Sequence, residues 1–167
     1  MSNNEDSHTI AVLVENEFGV LARVAGMFAG RGFNIDALSV APTPDPKISR
    51  ITLITHGNEQ IIEQILKQLN RLIDVLKVVD LSSEDRVRRE IMLVKLRGQE
   101  RSEDKIKNLL KEHGGTLLDQ EKNIFILEFS QEHKQNDRVL NEFQDFEILE
   151  TARSGNLAMQ KGKKVLA

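Results

Sequence analysis

The stretch VENEFGVLARVAGMFAGRGFNIDALSV, residues 14–40, passes through three patterns in succession. Val14 ends an apolar run that opens at His8, in which Ile10, Val12 and Val14 alternate with Ala11 and Leu13. Such a strand is buried or half-buried on both faces. Asn16-Glu17-Phe18-Gly19 breaks the run as a turn. Val20, Leu21, Val24, Phe28 and Arg31 then recur at three- and four-residue spacing, with Met27 beside Phe28 on the apolar side of an amphipathic helix. Gly32 stops that helix where a left-handed residue belongs. Gly26 and Gly30 each weaken the helix by roughly 1 kcal/mol against alanine, and they read as close packing of helix on sheet. Phe33 to Ala41 follows as a strand whose alternation changes phase near Ala37, a bulge signal.

Outward from this stretch the same logic continues. Pro42-Thr43-Pro44-Asp45-Pro46 cannot carry a strand ladder and forms a loop. Ile48 to Thr55 is a third strand, with Ile51 and Leu53 on one face, and His56-Gly57-Asn58 ends it. Ile61, Ile62, Ile65, Leu66, Leu69, Leu72 and Ile73 make a helical stripe. Val75 to Leu81 is a fourth strand. Strand, helix, strand, strand, helix, strand is the ferredoxin-like order, complete over residues 8–82.

Polar Ser82-Ser83-Glu84-Asp85-Arg86 marks a domain boundary. Beyond it the order repeats over residues 86–160. Ile91-Met92-Leu93-Val94 sits in a strand over Glu90 to Arg97. Ile106, Leu109 and Leu110 stripe a helix over Glu103 to His113, closed by Gly114-Gly115. Thr116 to Asp119 and Ile124 to Phe129 flank a hairpin turn at Glu121-Lys122-Asn123. Asn136 to Phe143 is a short helix and Phe146 to Ala152 a last strand. Lys161-Gly162-Lys163-Lys164 reads as a solvated tail. The predicted fold class is α+β, two tandem ferredoxin-like βαββαβ domains.

The 167 residues suffice for one ordinary domain or two small ones. An apolar share of 40% with 29% charged residues describes a globular chain rather than a disordered or fibrous one. A net charge of -3 argues against nucleic acid as partner, because phosphate binding needs a basic face. Aromatic residues are 4%, all phenylalanine, and the central strands of the first domain expose none for stacking RNA bases. There is no cysteine, which removes disulfide and thiolate chemistry and agrees with a cytoplasmic location. The acidic opening, residues 1–7, reads as neither a signal nor a transit peptide. No apolar run approaches the roughly 20 residues of a membrane helix, so no membrane partner is expected.

Little in the chain carries catalytic chemistry. His8, His56, His113 and His133 sit at no metal-ligand spacing and read as surface or capping groups, so no metal is expected. Glu100-Arg101-Ser102-Glu103-Asp104-Lys105 reads as a solvated helix start. No phosphate-binding loop, dinucleotide fingerprint or nucleophile elbow occurs. No residue set proposes a catalytic site.

One constellation points to a ligand. Gly19 precedes a helix opened by Val20 and Leu21, whose free N–H groups and dipole favour a carboxylate. The Asn34 amide can donate to a carboxylate and accept from an ammonium group. Ile35 and its apolar neighbours suit an aliphatic side chain. The same residues also read as a plain turn at Gly19 and a strand entry at Asn34.

Several segments closely resemble the small subunits of acetolactate synthase. They are Val14-Glu15-Asn16-Glu17-Phe18-Gly19-Val20-Leu21-Ala22-Arg23-Val24, residues 31–43 from Arg31-Gly32-Phe33-Asn34, Ser49-Arg50-Ile51-Thr52 and residues 64–75. Arg89-Glu90-Ile91-Met92-Leu93-Val94-Lys95 and Ala152-Arg153-Ser154-Gly155 carry the resemblance into the second half. It is dense in the first domain and loose between about Gly98 and Glu150.

The resemblance implies that residues 8–82 form an ACT domain, a sensor of amino acids that pairs with a second copy. It implies valine, or another branched-chain amino acid, bound between the two copies, with Gly19, Val20, Leu21, Asn34 and Ile35 at matching positions. Asn16 matches a further position tied to feedback sensitivity. It implies a non-catalytic partner of a large catalytic subunit that itself carries thiamine diphosphate, magnesium and FAD. Those cofactors are not expected on this chain. Arg153-Ser154-Gly155 and the second-domain strands are candidates for contacting that subunit. A related sensor acting on another enzyme is the alternative. The order of elements supports one part of this independently: the second strand lies at a sheet edge, and its apolar edge invites pairing with another chain.

Overall fold

The computed structural model of the chain describes residues 7–99 and 102–166. The acidic opening up to Asp6, and Glu100 and Arg101 of the expected helix start, lie outside the described residues.

In the first unit, β1 (Ser7–Glu15) is buried on both faces through Ile10 to Val14. It pairs antiparallel with β3 (Ile48–His56) and with β4 (Val75–Asp80), and β2 (Ala37–Pro42) pairs with the far side of β3. The strand order is β2-β3-β1-β4, so β2 is an edge strand as expected. Helices α1 (Val20–Ala29) and α2 (Glu59–Leu69) follow β1 and β3. Their apolar stripes explain the core: Val24, Phe28, Ile65 and Leu69 pack with Ile10, Val12, Val14, Ile51 and Leu53. Asn58 caps α2, its Oδ1 accepting from Ile61 N at 3.0 Å, as a side-chain oxygen at an N-cap does for an orphan N–H.

Gly32, at φ 69°, ends α1 as the spacing predicts. Phe33 N donates to Phe28 O at 3.0 Å and Gly32 N to Ala29 O at 3.2 Å, with the Phe28 and Phe33 rings edge to face. These bonds satisfy carbonyls that the helix end would otherwise leave bare. This closure, and a bond from Asn34 Nδ2 to Asp36 Oδ1, take up residues 33–36. The second strand therefore begins at Ala37 rather than at Phe33. Gly26 and Gly30 do not serve helix-on-sheet packing. A Cβ on Gly26 would meet nothing within 4 Å, and one on Gly30 only the Gly26 carbonyl. Ile73, expected on the α2 stripe, is 91% exposed because the helix stops at Leu69.

The second unit repeats the order. β5 (Arg86–Arg97), α3 (Ser102–His113), β6 (Thr116–Glu121), β7 (Ile124–Gln131), α4 (His133–Glu142) and β8 (Glu147–Arg153) form a sheet of path β6-β7-β5-β8. Met92, Val94 and Leu96 of β5 pack with Phe125, Leu127 and Phe129 of β7 and with Ile106, Val139 and Phe143. The β6–β7 hairpin turns at Lys122, φ 53°. Helix α4 starts three residues before Asn136, where Glu132 N donates to Gln135 Oε1 at 3.2 Å. That bond is half of a reciprocal cap, which moves the start of the helix forward.

The compact units are drawn differently from 8–82 and 86–160. One takes in the residues through Val87 together with those from Asn156 onward; the other is Arg88–Gly155. Strand β9 (Leu157–Gln160) and the expected solvated tail belong to the first unit. Arg50 Nη2 donates to Ala158 O, and Lys161 N to Asp85 O at 2.9 Å. Lys161 and Lys164 pair with Asp85 and Glu84. Ala158 and Leu166 are buried with Ala11, Leu13 and Leu81 on the sheet face opposite the helices. The apolar residues that do this are spread too thinly, among lysines and glycine, to show a periodicity.

Candidate functional site

The loop between β1 and α1 is built from Asn16 upward. Asn16 Nδ2 donates to Pro46 O at 2.9 Å, its Oδ1 accepts from Ser49 Oγ at 3.0 Å, and its N–H donates to Lys47 O at 2.7 Å. The side chain thus ties the loop to the β2–β3 connection. Gly19 at the helix N-cap has φ 81° and ψ -4°, a backbone conformation that glycine adopts at no steric cost. As glycine it offers no side-chain cap. The first helical bond runs from Arg23 N to Gly19 O, 2.9 Å. The Leu21 and Ala22 N–H groups find no protein acceptor among the described residues, the usual condition of an uncapped first turn. Val20 is buried in the core, whereas Leu21 is exposed. Phe18 stands wholly in solvent.

Asn34 and Ile35 lie elsewhere. Asn34 O accepts from Thr55 Oγ1 at 2.7 Å, at the end of β3, and Asp36 also meets His56 Nδ1. Ile35 is half-buried against the core. Helix α1 separates Gly19 from Asn34, and a helix of that length rises about 15 Å. Within one chain, Asn16, Gly19, Val20 and Leu21 therefore form one group, and Asn34 with Ile35 another.

Pattern reading missed a charged network in the second unit. Glu90 points inward with Met92, Val94 and Leu96 on β5 and is 2% exposed. Arg153 donates to Glu90 Oε2 through Nε at 3.0 Å and Nη2 at 2.5 Å, and Asn136 Nδ2 and His133 Nδ1 close on the same carboxylate at 3.1 and 3.2 Å. Burial pushes the Glu90 carboxyl up, but bonds from Arg153, Asn136 and His133 and the Arg153 charge outweigh it and leave it below the ordinary value. Hydrogen bonds and an opposite charge both favour the ionised form. Burial lowers the Arg153 guanidinium, and Glu90 with Asp137 more than restores it. Ser154 continues the β5–β8 pairing beyond Arg153 by two bonds with Ile91, each 3.0 Å. Arg153-Ser154-Gly155 thus has a structural duty first. The only sequence signal was a glutamate in the inward phase of an apolar strand.

All four histidines meet carboxylates: His8 with Asp80, His56 with Asp36, His113 with Glu142 and His133 with Glu90. Glu112, His113 and Glu142 come close enough to hold a cation, a grouping the sequence spacing hid; His113 Nε2 already meets Glu142 Oε2 at 2.9 Å. No described helix is long and apolar enough to cross a membrane.

Comparison with known proteins matches both halves in order. Residues 10–77 match the AHAS small subunit-like ACT domain, and residues 89–162 the family described as small subunit of acetolactate synthase. The chain is 40% identical over 158 residues to the acetolactate synthase isozyme 3 small subunit of Escherichia coli (strain K12), covering 94% of this chain and 97% of that one. It is 38% identical over 157 residues to a probable acetolactate synthase small subunit of Archaeoglobus fulgidus, covering 94% and 98%. The crystal structure of the acetolactate synthase small subunit from Thermotoga maritima superposes with a TM-score of 0.87 at 32% identity, covering 95% of this chain and 99% of that one. Similar in sequence along nearly the whole length of these relatives, and in fold to a solved one, the chain belongs to the acetolactate synthase small-subunit family.

Proposed function

We propose that the chain is a non-catalytic regulatory subunit in branched-chain amino-acid biosynthesis. It binds the catalytic subunit of acetolactate synthase, raises its activity, and lowers it again when valine is bound. Asn16, Gly19, Val20, Leu21, Asn34 and Ile35 form the effector site, and two copies of the first unit build it. Thiamine diphosphate, magnesium and FAD belong to the catalytic partner, and the pair works in the cytoplasm.

The observation that carries this reading is the separation of the two half-sites along an open sheet edge. Asn16 and Gly19 sit at the end of the sheet where β2 finishes, because Asn16 bonds Ser49 and Ser49 pairs with Pro42. Asn34 sits where β2 begins, bonded to Thr55. Two β2 edges paired antiparallel across a twofold axis bring the start of one strand beside the end of the other. The Gly19 loop of one copy then meets Asn34 of its partner, twice per dimer. The uncapped N–H groups of α1 supply donors for the carboxylate, and Asn34 supplies a neutral polar group for the ammonium end. Coupling between valine and the catalytic subunit in such a system is typically about 1–3 kcal/mol.

Calorimetric titration with valine, using lysine as control, tests the sensor directly. Saturable binding of valine and not lysine, at one site per chain, together with a dimer by light scattering, is the expected result. A chain that binds no branched-chain amino acid, alone or with the catalytic subunit, rejects it.

A further inference from the structure

Arg23 lies one helical turn beyond Gly19, and its guanidinium folds back over the turn. Its Nε donates to Asp74 Oδ2 at 2.6 Å, and Nη2 faces Phe18 O at 3.5 Å. Nη1 has no protein acceptor among the described residues, and it lies 3.0 Å from where a Cβ on Gly19 would stand. Asp74 is itself fixed: its side chain is only 11% exposed, and its carbonyl accepts from Glu15 N at 2.8 Å. One residue therefore holds both the strand end before the loop and the arginine after it. The result is a pinned cation, about half exposed, with unused donors bordering the space that glycine leaves open.

We propose that Arg23 is a further recognition residue of the effector site, its guanidinium taking the carboxylate of the bound amino acid, and that Asp74 is the positioning residue that aims it. This deepens the effector reading above and rests on it. A guanidinium presents parallel N–H donors that match the two oxygens of a carboxylate, which a lysine ammonium on a flexible stem does not. With Nε committed to Asp74, the Nη1 edge is the part left for ligand. The arrangement also accounts for glycine at position 19 by a second route besides backbone conformation, since any side chain there would fill the carboxylate's place. Selectivity follows: the site takes free α-amino acids and rejects derivatives in which the carboxylate is neutral.

The test titrates the full chain with valine and with valinamide, which keeps the side chain and ammonium but lacks the carboxylate. The unaltered chain should prefer valine to valinamide by at least tenfold. Arg23→Gln should bind valine about 10- to 100-fold more weakly and lose most of that preference, since a charge-assisted bond is removed. Arg23→Lys, which keeps the charge and safeguards folding, should fall between the two, and Asp74→Asn should lose severalfold through misplacement of an intact arginine. Thermal melts confirm that each variant is folded. Unchanged valine affinity and an intact preference over valinamide in Arg23→Gln, or in Arg23→Lys where Arg23→Gln fails to fold, overturn the role of Arg23 while leaving the effector reading standing. An unaltered chain that binds neither compound overturns both.

Discussion

Gly19 joins two constraints in one residue. Its φ of 81° favours glycine, and a Cβ there would stand 3.0 Å from Arg23 Nη1, so the guanidinium tip would have to give way to any side chain. Gly19→Asp puts a carboxylate against Arg23, where it substitutes for the ligand's own. Valine binding by calorimetry should disappear, even in protein that melts within a few degrees of the unaltered chain. Glu90 makes the complementary case. Its stability contribution comes from a buried carboxylate held below its ordinary value near 4.5. A depressed folded value stabilises above the unfolded value and is lost as pH falls through the folded one. The protein should therefore lose stability below about pH 4.5, and Glu90→Gln should flatten that limb. At pH 7 the same variant leaves the Arg153 charge without its main partner, and denaturant unfolding should show a loss of about 3 kcal/mol. A Glu90→Gln protein as stable as the unaltered one at pH 7 would contradict this assignment.

Among the elements, α1 offers a test of what its glycines are for. Gly26 faces open space, so Gly26→Ala adds helix propensity without a clash. A gain of about 0.5–1 kcal/mol, seen as a rise of a few degrees in Tm, is expected; a loss would show that a partner chain packs there. Elements of this kind are where sequence reading works best. The stripes of α1 and α2, the Gly32 stop and the β6–β7 hairpin are all local patterns, and they are visible because the residues that create them are neighbours. The apolar residues from Phe33 onward suggest an earlier start for β2 than the observed Ala37, because the helix closure at Gly32 borrows Phe33. The candidate site was half legible. Gly19 and Asn34 stand out by type, but Arg23 looks like any surface arginine until Asp74, 51 residues away, is brought beside it. Glu90 and Arg153 are hidden for the same reason, being 63 residues apart.

At the scale of the whole molecule, the first unit is discontinuous, with Arg88–Gly155 inserted between its two segments. Leu166 is buried against the sheet face opposite the helices. Leu166→Ala should destabilise the first unit by about 2–3 kcal/mol, and removal of the residues after Gly155 should in addition bare Ala11, Leu13 and Leu81 and increase binding of a hydrophobic dye. A truncated chain that melts like the full one would deny the segment any role. The same arrangement sets a timetable for biogenesis. Ribosomes add on the order of ten residues per second, so Ala11 and Leu13 are made many seconds before Leu166 arrives to cover them. Throughout that interval the nascent sheet carries a sticky face, the open β2 edge lies close by, and polysomes crowd identical chains together. That topology should show itself as chaperone dependence during synthesis, in addition to its effect on the stability of the finished protein.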